Sequence, residues 1–412
     1  MKNNLKQTRV CVVGLGYIGL PTAALIANSG YKVCGVDIDK NAVETINKGE
    51  IHIVEPGLKK FVKSAVQASA LSAFEEPQES DIYIICVPTP FYPDNEIPTP
   101  NLEFVLKAAD SISNYLKEGD IVILESTSPV GATNILEKHL RSRGVDTQSI
   151  FLAYCPERVL PGNIMKELVE NDRVIGGIND ESTKMVVDFY KTFIKGNIFE
   201  TSSKTAEMCK LTENSFRDIN IAFANELSVI CDEHEIDVWA LIQLANRHPR
   251  VNILQPGAGV GGHCIAVDPW FLVSSNPESA KLIKKAREVN DSKPKWVVDK
   301  IIQTAHDKRK TINKDAKLTI ACLGLSFKPD IDDLRESPAV EIVKNLENQD
   351  FNLIVVEPNI KDHQSLNLVS LDEALNEADI IAILVKHSEF LSDESIKKLK
   401  KPFVLDFCGA FS

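Results

Sequence analysis

An apolar run, Arg9 to Val13, passes directly into Gly14-Leu15-Gly16-Tyr17-Ile18-Gly19 and then into a segment of helical pattern. A strand that turns into a helix through three glycines at this spacing fits one local design, the opening of a β-α-β unit. Gly14 permits the tight turn, Gly16 lets backbone approach a pyrophosphate, and Gly19 lets the helix pack closely on the strand. The helix N-terminus, with Tyr17 and Ile18 in the turn before it, offers N–H groups and the positive end of a dipole to a diphosphate. The next apolar run, Tyr31 to Asp37, closes on an acid. Asp37 is placed to accept hydrogen bonds from an adenosine ribose and to repel a 2′-phosphate, so NAD is expected ahead of NADP. Glycines at this spacing also occur in turns that hold nothing. The preceding strand, the following helix and the acid make the empty turn the weaker reading, with mononucleotide or flavin use as the other alternative.

Further runs rich in Val and Ile, Asp81 to Val87, Ile121 to Glu125 and Ile150 to Ala153, alternate with helical stretches. That alternation predicts an α/β fold with an N-terminal Rossmann-type sheet, parallel and doubly wound, carrying helices on both faces. From about Thr205 to Glu235 there is no Gly or Pro, and Leu211, Ile219, Ala222, Phe223, Leu227 and Ile230 recur at helical spacing. One long central helix is expected, able to bridge two domains and offer a face to a second subunit. A second β-α pattern starts at Leu318 and lacks a complete glycine fingerprint. Its strand candidates are Leu318 to Leu323, Asn352 to Val356, Asp379 to Val385 and Phe403 to Phe407. It predicts a second, smaller Rossmann-like domain, with polar residues 306–317 as a linker. The expected partition is 1–204, 205–305 and 306–412.

A net charge of -12 argues against nucleic acid or an anionic membrane surface as partner. No apolar run reaches bilayer length, and residues 1–9 are polar, so a cytoplasmic location is expected. The nine cysteines are scattered with no C-x-x-C pair, and neither a zinc knuckle nor any other metal site is expected. Eight of them read as small packing residues. Cys264 differs, because it follows Gly257, Gly259, Gly261 and Gly262 and precedes Asp268 by four residues. A helix starting here would stabilise a thiolate and place Asp268 on the same face. His263, the adjacent residue, reads as loop-shaping.

Other motifs follow Gly14–Pro21 in order: Val87-Pro-Thr-Pro90, Ser126-Thr-Ser-Pro-Val-Gly131, Pro156-Glu-Arg-Val-Leu-Pro-Gly162 and Ala206-Glu-Met-Cys-Lys-Leu211 with Asn214. After the Cys264 loop come Gly324-Leu-Ser-Phe-Lys-Pro329 and Asp332-Asp-Leu-Arg-Glu-Ser-Pro338. On these motifs the chain resembles the UDP-glucose/GDP-mannose dehydrogenases, which oxidise a sugar C6 alcohol to a carboxylate in two NAD-linked steps. The resemblance runs from near Arg9 to near Phe407. Within the family, Leu211–Arg217, Asn246–Ile253 and His263–Phe271 are similar to the branch acting on UDP-linked N-acetyl amino sugars. Trp270-Phe271 stands where the gluco-configured branch tends to carry Tyr-Tyr. This implies UDP-N-acetylmannosamine as substrate, with UDP-N-acetylglucosamine and UDP-glucose as alternatives. The family often carries a basic residue before the last glycine, where this chain has Cys408.

The resemblance also implies roles. Cys264 is the covalent nucleophile that carries an aldehyde on to the acid. Lys210, Asn214, Asp268, Glu157 and Thr127 join it as catalytic residues. Thr89, Thr127 and Arg335 join the glycine turn and Asp37 on the cofactor side. Substrate contacts fall to Arg158, Val159, Lys210, Asn214, Arg217, His248, Arg250, Gly261, Phe327 and Lys328. On the residues alone, Lys210, Asn214 and Arg217 are also explained as one solvated helix face, since they recur at i, i+4 and i+7. The loop with Arg247, His248 and Arg250 resembles one that reaches into a neighbouring subunit, so a homodimer is the minimum assembly, and surface polysaccharide is the expected use of the product. A catalytically silent nucleotide-sugar-binding protein and a two-electron hydroxyacid dehydrogenase are the competing readings.

Overall fold

The computed structural model describes residues 7–92, 97–160, 162–262, 264–311, 317–361, 363, 365–399 and 403–412. The chain divides into two compact units, Met1–Glu213 and Asn214–Ser412.

The described strands of the first unit are β1 (Arg9–Val13), β2 (Lys32–Val36), β3 (Leu71–Phe74), β4 (Ile82–Ile85), β5 (Phe91–Tyr92), β6 (Thr99–Pro100), β7 (Ile121–Leu124), β8 (Phe151–Tyr154), β9 (Arg173–Gly177) and β10 (Ile198–Ser202). Eight form one sheet in the order β10-β9-β8-β7-β4-β1-β2-β3, while β5 and β6 make a small antiparallel pair. The central strands β4 and β7 are apolar and buried along their whole length because both sheet faces are covered there. On β1, Val10 and Val12 enter one apolar cluster with Leu20 and Ile26. Cys11 and Val13 enter another with Val105 and Ile112.

From β8 to β3 the six neighbouring strands run parallel, as expected. β9 then runs antiparallel to β8, and β10 runs parallel to β9. Hydrophobic periodicity carries no information on strand direction, so the reversal has no signature in the sequence. Strands β3, β9 and β10 also lie outside the expected runs. β3 is four residues of alternating burial, β9 opens on a buried arginine and ends on two glycines, and β10 is an edge strand without a buried residue.

The central helix spans Ser203–Glu233 and crosses from the first unit into the second. Glu235 follows in a left-handed conformation, and Asp237 then caps Val238–Ala245 by accepting the N–H groups of Trp239 and Ala240. In the second unit β11 (Thr319–Leu323), β12 (Asn352–Val356), β13 (Ile380–Ile383) and β14 (Val404–Asp406) form a parallel sheet in the order β12-β11-β13-β14. The stretch expected as a linker is helical for half its length. The helix Lys281–Thr311 continues through it, and 312–316 lie outside the described residues. Val297, Val298, Ile301 and Ala305 of that helix pack into the core of the small sheet, which fixes the helix to the domain it precedes. No described helix is long and apolar enough to cross a membrane.

Both units use the same turn after their first parallel strand. Gly14 N–H donates to the Val36 carbonyl and Leu15 N–H to Asp37, each at 2.8 Å. Gly324 N–H donates to the Val356 carbonyl at 2.8 Å, and Leu325 N–H to Glu357 at 2.7 Å. The acids differ in what remains available. Glu357 is buried and also accepts from Ser326 N–H and the His387 ring. Burial opposes its ionisation, but the His387 hydrogen bond and the backbone N–H groups outweigh it and hold the carboxyl down at about 2. Asp37 is only half-buried.

Candidate active site

In the first unit the chain passes from β3 across β1 to β4, so the carboxyl ends of β1 and β4 part at a topological switch point. A Cβ on Gly14 would lie 2.8 Å from the Cys86 carbonyl oxygen, and one on Gly19 only 1.7 Å from that of Gly14. A Cβ on Gly16 would meet nothing within 4 Å. Two glycines thus serve backbone closeness and one faces open space, which suits a diphosphate. Tyr17 packs on the core beside them, and Ile18 is the helix N-cap. The helix Gly19–Asn28 has no side-chain cap and no acid in its first turn, leaving its dipole to an anion. Asp37 accepts Leu15 N–H on one oxygen and Asp39 N–H on the other, and each oxygen keeps a lone pair for a ribose hydroxyl. These residues fit NAD.

Hydrogen bonds join the motif-bearing loops of this unit to one another. Thr89 Oγ1 donates to the Thr127 carbonyl at 2.6 Å, and Ser126 Oγ to the Val87 carbonyl at 2.7 Å. Glu207, fully buried on the central helix, accepts Gly131 N–H at 2.5 Å and both Thr133 N–H and Oγ1–H at 2.8 and 2.6 Å. It thereby ties the Thr127 loop to the helix that carries Lys210. Lys210 is half-buried and forms no ion pair among the described residues. Glu157 is buried, accepts Arg158 N–H at 2.6 Å, and pairs with the buried Arg173 at 2.7 Å. Arg158, expected among the substrate contacts, is engaged by Glu213 at 2.8 and 3.1 Å. The Val159 side chain packs against a small cluster of Leu25, Ile164 and Leu168. Pro161 of the same motif lies outside the described residues.

In the second unit the glycine loop is tightly turned and packed. A Cβ on Gly261 would lie 2.3 Å from the Glu336 carbonyl oxygen, and one on Gly262 2.7 Å from the Phe327 ring. The expected helix begins at Asp268, not at Cys264. Cys264 precedes it by one turn, its carbonyl accepting Asp268 N–H at 2.8 Å and Val267 N–H at 3.0 Å. Of the nine cysteines, all described, Cys264 alone is exposed. Asp268 is buried, and Asn214 donates to it at 2.5 Å. His263 lies outside the described residues.

A buried polar chain that the sequence reading does not contain anchors this loop. Gly257 N–H donates to Asn225, Asn225 to Asn290, each at 2.9 Å, and Asn290 to Asp218 at 2.8 Å. Arg287 closes the chain on Asp218 at 2.6 Å. The signal was present, since Asn214, Asp218 and Asn225 share one helical face at four- and eleven-residue spacing. Arg217 is exposed and pairs with neither Glu213 nor Asp218, which are taken by Arg158 and Arg287. Asn246 clamps the next loop by bonding Ile253 at both N–H and carbonyl, projecting exposed Arg247, His248 and Arg250. Phe327 and Lys328 are half-buried, and Arg335 forms a two-point pair with Asp333 at 2.6 and 2.8 Å.

Three family models match in sequence. They are the NAD binding domain of the UDP-glucose/GDP-mannose dehydrogenase family at residues 8–194, its central domain at 204–292 and its UDP binding domain at 321–412. The chain belongs to the UDP-glucose/GDP-mannose dehydrogenase family. It is an NAD-dependent UDP-sugar dehydrogenase, and its glycine turn lies within the residues matched by the NAD binding domain. A UDP-N-acetyl-D-mannosamine dehydrogenase of Campylobacter jejuni is 54% identical over 97% of this chain and 99% of its own length. An NDP-N-acetyl-D-galactosaminuronic acid dehydrogenase of Ralstonia nicotianae is 50% identical over 98% of this chain and 96% of its own. The solved UDP-D-ManNAc dehydrogenase of Pyrococcus horikoshii superposes with a TM-score of 0.89 at 36% identity, covering 98% of this chain and 96% of that one.

Proposed function

We propose that this dehydrogenase oxidises the C6 alcohol of UDP-N-acetyl-D-mannosamine to UDP-N-acetyl-D-mannosaminuronate. The exposed Cys264 at the end of a packed glycine loop, one turn ahead of the Asn214–Asp268 pair, carries the reading. NAD, when bound, supplies the oxidant for two separate two-electron steps. Between them the Cys264 thiolate adds to the aldehyde carbon, forming a C–S bond and a thiohemiacetal. Once oxidised this becomes a thioester, and water cleaves the C–S bond to give the acid and return the thiol. Lys210 stabilises the oxyanions of the sugar C6 oxygen, and Asn214 orients that oxygen or a water. Glu157 and Asp268 serve the hydrolytic water and the thiol as bases. Thr127 holds a water or the nicotinamide end.

NADH counted per mole of sugar tests both steps and substrate. Two NADH with UDP-N-acetylmannosamine, and turnover at least about tenfold slower with the gluco and galacto epimers and UDP-glucose, is expected. Preference for another epimer overturns the substrate, and one NADH per sugar overturns the thioester.

The same reading divides the chain into an NAD-binding part, 1–204, a central part, 205–305, and a UDP-binding part, 306–412. It places the enzyme in the cytoplasm, where its thiols stay reduced. It also assigns a second copy of the chain to the central helix. Phe216, Phe223 and Ile230, seven apart, are 66%, 54% and 45% exposed on one stripe. The loop of Arg247, His248 and Arg250 is the segment assigned to the partner's substrate. Light scattering should show a dimer that Phe223→Asp converts to monomer; an unchanged mass would remove this helix from the interface.

A further inference from the structure

The second unit holds a cavity of about 540 Å³. Topology explains its place. The chain leaves β11 for β12 and returns to β13 on the other side of β11, so the carboxyl ends of β11 and β13 part there. Ligands of open α/β sheets bind at such points. Phe327, from the segment after β11, faces the cavity together with Lys386, from the segment after β13. Gln255 and Gly257 of the glycine loop and Cys408, after β14, also line it.

Lys386 is the unassigned cation in this set. It is half-buried, its Nζ donates to the Gly409 carbonyl at 2.5 Å, and it forms no ion pair among the described residues. The acid at the end of the adjoining strand, Asp406, is engaged instead by the N–H groups of Cys408 and Phe411. An ammonium has three donors, and Gly409 takes one. A cation so placed, with no side-chain carboxylate paired to it among the described residues, favours an anion in the cavity. Arg158 and Arg335, expected on the substrate and cofactor sides, are held by Glu213 and Asp333. The position before the last glycine, where a basic residue was expected, carries only a thiol, and that thiol lines the same cavity as Lys386.

We propose that Lys386 binds the diphosphate of the nucleotide substrate in this cavity, supplying from the β13 side the charge that position 408 lacks. The proposal rests on the reading of the substrate as a UDP-sugar and adds a residue absent from the motif set. Calorimetric titration of the full-length chain with UDP and with uridine tests it. Lys386→Met is expected to weaken UDP about tenfold while uridine changes less than about twofold, because only UDP carries the charge. Lys386→Arg should keep UDP affinity, and Lys386→Met with Cys408→Lys should regain most of it. The regain separates lost charge from a loosened C-terminal turn, since the double variant still lacks the Gly409 bond. Unchanged UDP affinity in Lys386→Met, or uridine falling in step with UDP, overturns the proposal. Failure of the parent chain to bind UDP overturns the substrate reading itself.

Discussion

Cys264→Ser is expected to slow acid formation by about a thousandfold or more, a barrier increase of about 4 kcal/mol at 1.36 kcal/mol per decade. The size follows from the nucleophile. A thiol ionises far more readily than an alcohol, and the thiolate is much the stronger nucleophile. Cys264 is exposed, and its backbone carbonyl, which Val267 and Asp268 bond, is unchanged by the substitution. The melting temperature should therefore stay put while acid formation falls. Intact-mass analysis during turnover should find a sugar-nucleotide adduct on the parent chain and none on the variant. Two NADH per sugar from Cys264→Ser at parental rate would sink the covalent route, and one NADH per sugar from parent and variant alike would return the two-electron alternative.

The features legible in the sequence were those in which local chemistry alone decides. Gly14, Gly16 and Gly19 are dictated within one turn, and the structure uses each differently, as their Cβ contacts attest. Cys264 stood out by its glycine setting, and its exposure among otherwise covered thiols follows. What stayed hidden depends on partners distant in sequence. The reversal at β9 leaves no mark on apolar pattern. Arg173 reads as a surface cation until Glu157 is brought against it. The fates of Arg158 and Arg335 also turn on acids that motif spacing does not reveal as partners. A charge counts toward a ligand only after the protein's own carboxylates have been assigned, and that assignment needs the fold.

Arg287→Ala should destabilise the second unit by about 3–5 kcal/mol, because it leaves a buried carboxylate uncompensated. Arg287 and Asp218 are 1% and 0% exposed, and Arg287 also bonds Asp291. Burial already pushes the Asp218 carboxyl up, and Arg287 is the main force holding it down. Without the guanidinium the folded-state pKa rises further above the unfolded value. The folded variant then holds a proton that the unfolded chain releases as pH increases, so its stability falls as pH rises between those two values. Urea unfolding at pH 5 and pH 8 should therefore show the larger deficit at pH 8. Replacing both partners, Arg287→Met with Asp218→Leu, should recover much of the stability, since paired removal leaves no buried charge. Activity should not recover with it. Asp218 also receives Asn290, which holds Asn225 and through it the Gly257 N–H. A double variant that regained both stability and rate would show that the glycine loop keeps its shape through its packing on Phe327 and Pro338 alone. A deficit independent of pH would mean that lost packing, not the stranded carboxylate, sets the cost.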